Sequence, residues 1–480
     1  MKPISGDLGG AGPLVSEPDC YGNPKKNIAR SPAIFYHPIA QASHSGGTRI
    51  AKLQNMRSSN ARRSALFLFA TALICLDPRF MAAQDAVATP EVTTSPEPKA
   101  APIEKVGIGN FATFPVHLSL DVRGGYDDNV TTSSTNQQAS WFTSGSVAMN
   151  YEFGSPRTKL TLAIGAGGTY YWDHPQSTGT GVTDYDINTH FRFSLTHKAS
   201  PRLIFDTVDY AAYLTEPDFS LAQGSNRRSG NYFFTQDKGT ATYFWTPRFS
   251  TATSYTFGAL HYDDASTGYY SDYIENTIGN EFRYLIWPTT KLVAEYRFQT
   301  VNYQYISGRN STTHYALGGF EHVFTPEFGV SLRGGAQFRS YDQGDTLNSP
   351  YFEAMANYAA GKRTVISWTN HYAIEEPDQA LSQSRQTFRT GLTAKHDLTS
   401  RTSATLAGYY EHDDYQSLTT GGVVNPGYTE DVFDLSVTLR YAITRYLGVD
   451  LGYDYTDVSS KNRSQEYSRN RLWGGFSATF

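Results

Sequence analysis

Three pairs of adjacent aspartates are the residues of this sequence whose types and spacing most readily suggest chemistry. Carboxylates grouped in this way can bind a divalent cation or sugar hydroxyls, and a carboxylate beside a histidine, as at His412, can activate water. The alternative is that they are hydrated residues at the outer ends of strands. The pairs are Asp127-Asp128, Asp263-Asp264 and Asp413-Asp414, and a repeated Glu-Pro-Asp tripeptide occupies residues 216–218 and 376–378.

The sequence favours a hydrated, acidic outer rim over a metal site or a catalytic site. A calcium ion needs about 6 to 8 converging oxygen ligands, which no single loop here supplies. His412 and Asp413 are adjacent, so in a strand they point to opposite faces. The chain contains no G-x-S-x-G, H-E-x-x-H or glycine-rich phosphate motif. We therefore expect no enzyme activity, no catalytic residue, no metal and no cofactor.

Apolar and polar residues alternate over long stretches from about Val116 onward. Residues 116–122, 160–166 and 433–443 carry apolar side chains at every second position, the pattern of a strand with one polar and one apolar face. The longest runs reach the roughly 9 to 11 residues that a tilted strand needs to cross a membrane, whereas soluble strands have about 5 or 6. The pattern therefore predicts membrane-crossing strands.

Short turns alternate with long polar loops along the same part of the chain. Eight short turns predict an all-β fold, a closed up-and-down antiparallel transmembrane β-barrel of about 18 strands with short periplasmic turns and longer extracellular loops. A β-propeller is the alternative for a repeat near 40 residues, but it needs four short strands per repeat. The turns are residues 154–157, 198–202, 246–248, 287–289, 325–327, 361–363, 399–401 and 444–445, and the clearest loops are residues 131–138, 173–183, 215–230, 340–349 and 416–427.

The composition agrees with a barrel and excludes several other classes. Tyr (34) and Phe (28) far outnumber Trp (6), the mean hydropathy is -0.45, and no run of about 20 apolar residues predicts a membrane helix. A net charge of -5 over 480 residues does not suggest a nucleic-acid partner. Both cysteines, Cys20 and Cys75, precede residue 84, so the rest of the chain has no disulfide and no thiolate metal site.

The first 110 residues divide into three segments ahead of the barrel. Residues 1–55 have no structural period, and we interpret them as an unstructured, over-called start. Residues 56–88 have the basic, apolar and small-residue regions of a signal peptide. The alternative of a lipoprotein at Cys75 is disfavoured because Ile74 precedes it. Residues 89–110 form a Pro/Ala-rich periplasmic leader, and residues 111–480 form the barrel.

The polar strand faces would line the lumen, and their charges have both signs. We expect a salt-bridged wall without strong ion selectivity, because opposite charges on neighbouring strands stabilise a register. The predicted cross-strand pairs are Glu281 with Arg297, Arg283 with Glu295, Phe282 with Tyr296 on the lipid side, and Arg440 with Asp450. The charged residues expected to face the lumen are Asp121, Arg123, Glu281, Arg283, Glu295, Arg297, Glu353, Arg389, Asp434, Arg440, Asp450 and Arg471.

The last strand ends on a terminal aromatic residue. Leu472, Gly474, Phe476, Ala478 and Phe480 share one face of an extended segment. This ending resembles the closing strand of bacterial outer-membrane β-barrels. The resemblance implies that Phe476 and Phe480 form the signal read by the barrel assembly machinery, and that this strand seals against the first one.

The end of the first strand, residues 124–130 with the sequence GGYDDNV, looks like the opening segment of the β-barrel porin type 2 family. The resemblance covers roughly residues 111–480. It implies a channel in the outer membrane of a Gram-negative bacterium that passes hydrophilic solute and is linked to exopolysaccharide export, with membrane lipid and polysaccharide as partners. A non-conducting structural or adhesive barrel is the alternative, and a barrel hydrolase is less favoured. The cargo, the oligomeric state and the presence of a plugging loop stay open.

Overall fold

Long antiparallel strands account for most of the structure. A computed structural model describes residues 116–175, 184–219, 225–343, 346–379, 381–420 and 423–480. The predicted unstructured start, signal peptide and leader lie outside these residues. The strands are β1 Val116–Asp127, β2 Ser140–Gly154, β3 Thr158–Tyr171, β4 Tyr185–Ser200, β5 Leu203–Leu214, β6 Tyr232–Phe244, β7 Phe249–Tyr262, β8 Tyr273–Trp287, β9 Thr290–Tyr303, β10 Ser311–Thr325, β11 Phe328–Tyr341, β12 Thr346–Ala360, β13 Thr364–Glu375, β14 Ser382–Asp397, β15 Thr402–Thr420, β16 Val423–Asn425, β17 Tyr428–Ala442, β18 Leu447–Ser460 and β19 Tyr467–Thr479.

The strands close into a barrel by pairing the first with the last. Each strand pairs with its neighbour in sequence, and β19 pairs antiparallel with β1, with Ala478 opposite Leu120. The three-residue β16 pairs only with the outer end of β15, while β15 pairs directly with β17. The wall therefore has 18 long strands, which confirms the predicted closed up-and-down barrel.

All eight predicted short turns connect strands at the positions expected, but two of the predicted long loops are wrong. The loop predicted at 340–349 is only the short link after β11, because Ser340 already pairs with Thr346. The loop predicted at 416–427 is largely a two-stranded extension, in which Leu418 of β15 pairs with Asn425 of β16. Polar sequence misled the prediction in both places, because strand ends outside the membrane need no apolar face.

Alternation gives the wall one apolar and one polar face. The side chains of Leu120 and Phe476 are 47% and 59% exposed, and the residues next to them in sequence face inward. Such a ring of exposed apolar side chains is the surface that meets lipid. The one α-helix of the described residues, α1 (Ala265–Ser271), lies between β7 and β8. None of the helices in the described residues is long and apolar enough to cross a membrane.

The predicted register of the β8–β9 hairpin is wrong by two residues. Glu281 lies opposite Glu295, not Arg297, and Asn280 takes the predicted place of Phe282 opposite Tyr296. The turn contains a bulge at Trp287, which the sequence count did not include. By contrast, the β17–β18 hairpin has the predicted register, with Arg440 opposite Asp450.

The seam between β1 and β19 makes a prediction about Phe480. Its backbone N–H donates to the carbonyl of Leu118 at 2.8 Å, its carbonyl accepts from the Leu118 N–H at 3.1 Å, and its side chain is exposed toward lipid. We expect deletion of Phe480 to lower the amount of folded barrel in the outer membrane several-fold, measured by heat-modifiable electrophoretic mobility of membrane fractions.

Two variants separate the side chain from the seam. Phe480→Ala keeps both backbone hydrogen bonds, so its loss of assembly would report recognition of the aromatic ring. Leu451→Ala on β18 removes an equally exposed lipid-facing side chain and is the matched control. If Phe480 deletion behaves like Leu451→Ala, the terminal residue has no special role in assembly.

Candidate functional site

Strand alternation puts the twelve charged residues predicted for the lumen on inward-facing positions of the wall. Several of them neutralise one another within a strand or across one strand. Arg283 Nε donates to Glu281 at 2.8 Å, and Arg297 contacts both Glu295 and Glu353, the latter at 3.3 Å. The twelve are Asp121, Arg123, Glu281, Arg283, Glu295, Arg297, Glu353, Arg389, Asp434, Arg440, Asp450 and Arg471.

The pairs differ from those predicted because side chains two residues apart on a strand share a face. Glu281 is paired along its own strand with Arg283, and Arg333 Nη2 lies 3.7 Å away from it on β11. Arg440 and Asp450 are the predicted cross-strand pair that the structure forms, at 3.7 Å. The lumen wall is therefore a mixed-charge surface of ion pairs.

The six aspartates of the predicted outer rim do not form a hydrated rim. Asp127 and Asp413 are fully buried and point into the lumen. Arg469 and Arg471 contact Asp127, with Arg469 Nη2 at 2.5 Å, and Arg385 contacts Asp413 at 3.1 Å. Within β1 and β15, strand alternation turns Asp127 and Asp413 inward, whereas Asp263 and Asp264 lie beyond the end of β7 and are both exposed.

Three of the other four rim aspartates follow the ends of strands and stabilise local structure, and the fourth, Asp414, lies within β15. Asp128 accepts from the backbone and the side-chain amide of Asn470, both at 2.7 Å. Asp263 accepts from Tyr213, Asp264 caps the N-terminus of α1, and Asp414 is exposed. Within the described residues, no group of His, Cys, Asp and Glu side chains has a geometry that could hold a metal ion.

A single loop crosses the lumen from one wall to the other. This crossing loop, residues 215–231, joins β5 to β6, and residues 215–219 and 225–231 of it are described. In an 18-strand wall β5 lies opposite β14, yet Phe219 packs on Val432, Val458 and Tyr467 of β17, β18 and β19. The crossing loop therefore occupies the outer half of the barrel interior.

The near end of the crossing loop is held by buried ion pairs. Arg228, which is fully buried, donates to Asp186 of β4 at 2.6 Å and to Glu216 at 2.7 Å. Glu216 also accepts from Arg469 at 2.5 Å and from Arg471 at 3.1 Å. These guanidinium and carboxylate groups balance in charge together with Asp127, so the crossing loop completes the neutralisation of the wall.

The far end of the crossing loop is bound to the opposite wall. Arg227 Nη2 contacts Glu430 of β17 at 2.5 Å, and the Asn226 side-chain amide donates to Glu430 at 3.2 Å. The Asn226 backbone N–H and the Ser225 hydroxyl donate to Asp378, which lies in the loop between β13 and β14. Both repeated Glu-Pro-Asp tripeptides therefore stabilise the crossing loop. The first contributes Glu216 to the contacts beside β4, and the second contributes Asp378 to the contacts on the opposite side of the lumen.

Other extracellular loops interlock beneath the mouth of the barrel. Arg309, in the loop between β9 and β10, donates to the carbonyl of Tyr270 at 2.5 Å and to that of Gln379 at 2.9 Å. Tyr303 donates to Glu376 at 2.6 Å, and Arg339 contacts Glu376 at 2.8 Å. Three further loops thus turn inward beside the crossing loop.

Two loop carboxylates have pKa values that depend on these contacts. Burial alone would raise the pKa of Glu216, but the guanidinium groups of Arg469 and Arg228 outweigh burial and hold it well below its usual range. Burial also opposes ionisation of Asp378, and Arg385 again prevails, so the pKa of Asp378 is lowered. Both carboxylates are therefore charged partners of the crossing loop at neutral pH.

Sequence reasoning missed the residues that hold the crossing loop. The repeated Glu-Pro-Asp tripeptides and the adjacent arginines in the longest loop were the available signals, but no local pattern shows that they meet across a lumen. Glu216 and Asp378 belong to the tripeptides that the sequence singled out, and the missed residues are Asp186, Ser225, Asn226, Arg227, Arg228, Arg385, Glu411, Glu430 and Arg469.

A closed antiparallel wall with an apolar outer face, a charged lumen and short turns on one side defines a bacterial outer-membrane β-barrel of the porin class. The model of the family described as "Putative beta-barrel porin 2" matches residues 101–479. The chain belongs to this family and is a porin-like protein of a Gram-negative outer membrane. A search of curated proteins gave no match.

Solved porins share the barrel architecture at low similarity. OpdK from Pseudomonas aeruginosa is 10% identical, with 76% of this chain and 99% of that chain covered and a TM-score of 0.39. A BenF-like porin from Pseudomonas fluorescens Pf-5 is 11% identical, with 77% and 99% covered and a TM-score of 0.41. OccAB4 from Acinetobacter baumannii is 10% identical, with 76% and 98% covered and a TM-score of 0.38. These values are too low for any property of those porins to be assigned to this chain.

Acidification is expected to release the crossing loop. Because Glu216 and Asp378 have lowered pKa values when the loop is docked, docking is favoured above their usual pKa and is lost as pH falls through the lowered values. A nitroxide label at Ser229→Cys, in a background with Cys20 and Cys75 replaced by Ser, should become mobile only at strongly acidic pH.

A label at Lys362→Cys, in an exposed periplasmic turn, is the control and should be mobile throughout. In Glu216→Gln, the label at residue 229 should already be partly mobile at neutral pH, and acid should change it less. An immobile label in both backgrounds down to the lowest pH at which the barrel stays folded would contradict the ion-pair description.

Proposed function

We propose that this protein is a channel for hydrophilic solutes whose outer half is opened and closed by movement of the crossing loop. The observation that carries the proposal is the docking of residues 225–228 on both walls through ion pairs and hydrogen bonds. A barrel of 16 to 18 strands is generally wide enough to hold water unless it is plugged. A loop that occupies this space by polar contacts is suited to leave it, because water can hydrate the separated groups.

The lumen surface supports passage of hydrated solute. Arg283 with Glu281, and Arg440 with Asp450, line it with paired charges of both signs. Paired charges keep a surface wet without a field of one sign, so the expected selectivity between anions and cations is weak. Neutral or mixed-charge hydrophilic molecules fit this wall better than a single class of ion.

A non-conducting structural or adhesive barrel is the second candidate, and the same crossing loop favours it. If the contacts of Arg228 and Arg227 persist at all times, the barrel presents its extracellular loops and passes nothing. The two candidates make opposite predictions for a variant in which the loop is weakened and the wall is left intact.

Arg228→Ala should increase ion conductance. Removing one member of a buried ion pair generally costs about 3 to 5 kcal/mol, because the partner charge stays buried and unpaired. Here Asp186 loses its guanidinium partner and Glu216 loses one of its three, so the undocked state should gain population. The measurement is the frequency and duration of conductance steps of purified protein in planar bilayers.

Arg248→Ala, at an exposed periplasmic turn, is the matched control and should conduct like the unaltered protein. Longer or more frequent open steps in Arg228→Ala support the gated channel. If neither Arg228→Ala nor a deletion of residues 217–229 conducts while both fold, the barrel is structural and the channel proposal is wrong.

This proposal includes the identity of the transported solute, which is an exopolysaccharide on its way out of the cell. It is supported by the family resemblance and by inward-facing, partly exposed side chains such as Arg297 and Gln299, which can hydrogen-bond to sugar hydroxyls. Deleting the gene should reduce surface polymer, and complementation should restore it. An unchanged amount of surface polymer in the deletion strain would contradict exopolysaccharide as the cargo.

The remaining partners in the proposal follow from the barrel surface. Membrane lipid meets the exposed apolar ring, and the assembly machinery recognises Phe476 and Phe480, which are exposed on the lipid side of β19. No nucleic-acid partner and no enzymatic reaction are proposed. His412 pairs with Asp431 on the outer face at 2.8 Å, away from the inward-facing Asp413, so the two residues that suggested acid–base catalysis do not act together.

A further inference from the structure

The outer face of the wall carries two carboxylates near the middle of the membrane span. Asp209 of β5 and Asp237 of β6 lie directly opposite each other in the strand register. Both share the parity of exposed apolar residues, Phe205 on β5 and Phe233 on β6, while Tyr210 on the other parity is buried in the lumen. Strand alternation therefore directs this carboxylate pair toward lipid, where charged groups are unfavourable.

Within the described residues, the carboxylate pair forms no ion pair. Asp209 accepts from the Thr207 hydroxyl at 2.9 Å, and Asp237 accepts from the Thr235 hydroxyl at 3.2 Å. By strand alternation, every lysine and arginine of the described strands occupies a lumen-facing position. The other outward-facing acids of the described strands lie toward the extracellular ends: Asp414, Asp431 and Asp457.

The neighbouring outer face of β7 and β8 carries amide N–H donors that form no hydrogen bond within the described residues. Asn280 on β8 accepts from Thr253 through Oδ1 at 2.9 Å, and Asn276 accepts from Tyr255 through Oδ1 at 2.7 Å. These contacts occupy the carbonyl oxygens, and the amide N–H groups form no hydrogen bond within the described part of the chain. Asn280 lies at a similar distance along its strand from the periplasmic turn as Asp237 does on β6.

On the outer face, a groove separates the carboxylates of β5 and β6 from the asparagine amides of β8. It has a volume of about 460 Å³ and passes over Gly239 and Ala241, between Phe205 and Tyr255. A side chain added at Gly239 would meet no atom within 4 Å. Small residues at such a surface let the backbone or side chains of a second protein approach closely.

We infer that the outward face of β5 to β8 is an interface at which two copies of this chain associate in the membrane. Two barrels in one membrane are related by a two-fold axis along the membrane normal, so the same patch faces itself at equal depth. The carboxylates on one edge of the patch then meet the asparagine amides on the other edge of the second copy. Because of the two-fold axis, the contact between carboxylates and amides forms twice, and both kinds of polar group are removed from lipid.

A second copy fits this face better than lipid does. Lipid tails offer no donor to Asp209 and Asp237, and the described outward face has no guanidinium or ammonium group to pair with them. The groups of matching chemistry and depth are the amides of Asn276 and Asn280, which belong to this chain itself. The inference does not depend on what passes through the lumen, so it stands or falls separately from the proposed function.

The test fills the groove without disturbing the isolated barrel. Gly239→Leu adds a side chain into open space, so it should fold normally and prevent association. Gly408→Leu is the matched control, because Gly408 faces lipid on β15, on the opposite side of the wall, and has only ordinary contacts around an added Cβ. Mass measurement of purified full-length protein in detergent and in lipid nanodiscs gives the number of copies.

We expect a dimer for the unaltered protein and for Gly408→Leu, and a monomer for Gly239→Leu. A second variant, Asp209→Leu with Asp237→Leu, should also be monomeric, with folding retained or improved because the face becomes apolar. Heat-modifiable mobility reports folding in each case. A monomeric unaltered protein, or a dimer that survives both variants while they fold, overturns the inference.

A crosslinking measurement in native membranes separates a second copy from another occupant. In the background without native cysteines, Thr253→Cys lies at the centre of the outward face of β5 to β8 and Leu406→Cys lies on the opposite side of the wall. Oxidation should link Thr253→Cys to itself and leave Leu406→Cys monomeric. Linkage of Thr253→Cys to a different envelope protein, or equal linkage of both variants, overturns the assignment of the second copy.

Discussion

The structure depends on the requirement that no backbone polar group be left unpaired in the hydrocarbon of the membrane. An open sheet would expose the edges of its first and last strands, so the chain must return to its beginning and pair β19 with β1. The two hydrogen bonds between Phe480 and Leu118 complete this seam. Closure with 18 strands then sets a wall with two separate faces and a lumen wide enough to need its own chemistry.

The charged lumen explains why a loop occupies it. Arginines such as Arg469 are buried in the outer half of the barrel, and a buried charge is costly unless it is paired and hydrogen-bonded. Asp127 of the wall and Glu216 of the crossing loop both pair with Arg469, and Arg228 of the crossing loop pairs with Asp186 of the wall. Loop and wall are therefore neutralised together, which links the stability of the mouth to the docking of the crossing loop.

Sequence-based prediction succeeded where a single local pattern had one structural meaning. Alternating hydrophobicity located the wall strands, and Pro or Gly marked six of the eight turns. It failed where several arrangements satisfied the same chemistry. Glu281 could be neutralised by Arg297 across a hairpin or by Arg283 along its own strand. In the observed register, which shifts between Leu285 and Trp287, Glu281 pairs with Arg283. Asp127 looked like a rim residue because parity alone does not show which carboxylate meets an arginine.

The sequence by itself determined the class of fold, because period-two alternation and turn residues act over a few neighbouring positions and closure follows from the membrane. Tertiary structure decided what the interior and the outer face contain. The contact between Asn226 and Asp378 joins loops on opposite sides of the wall, and the pairing of Asp209 with Asp237 depends on the register of two strands. Such contacts are set by the diameter and register of the closed barrel, and no short stretch of sequence specifies either.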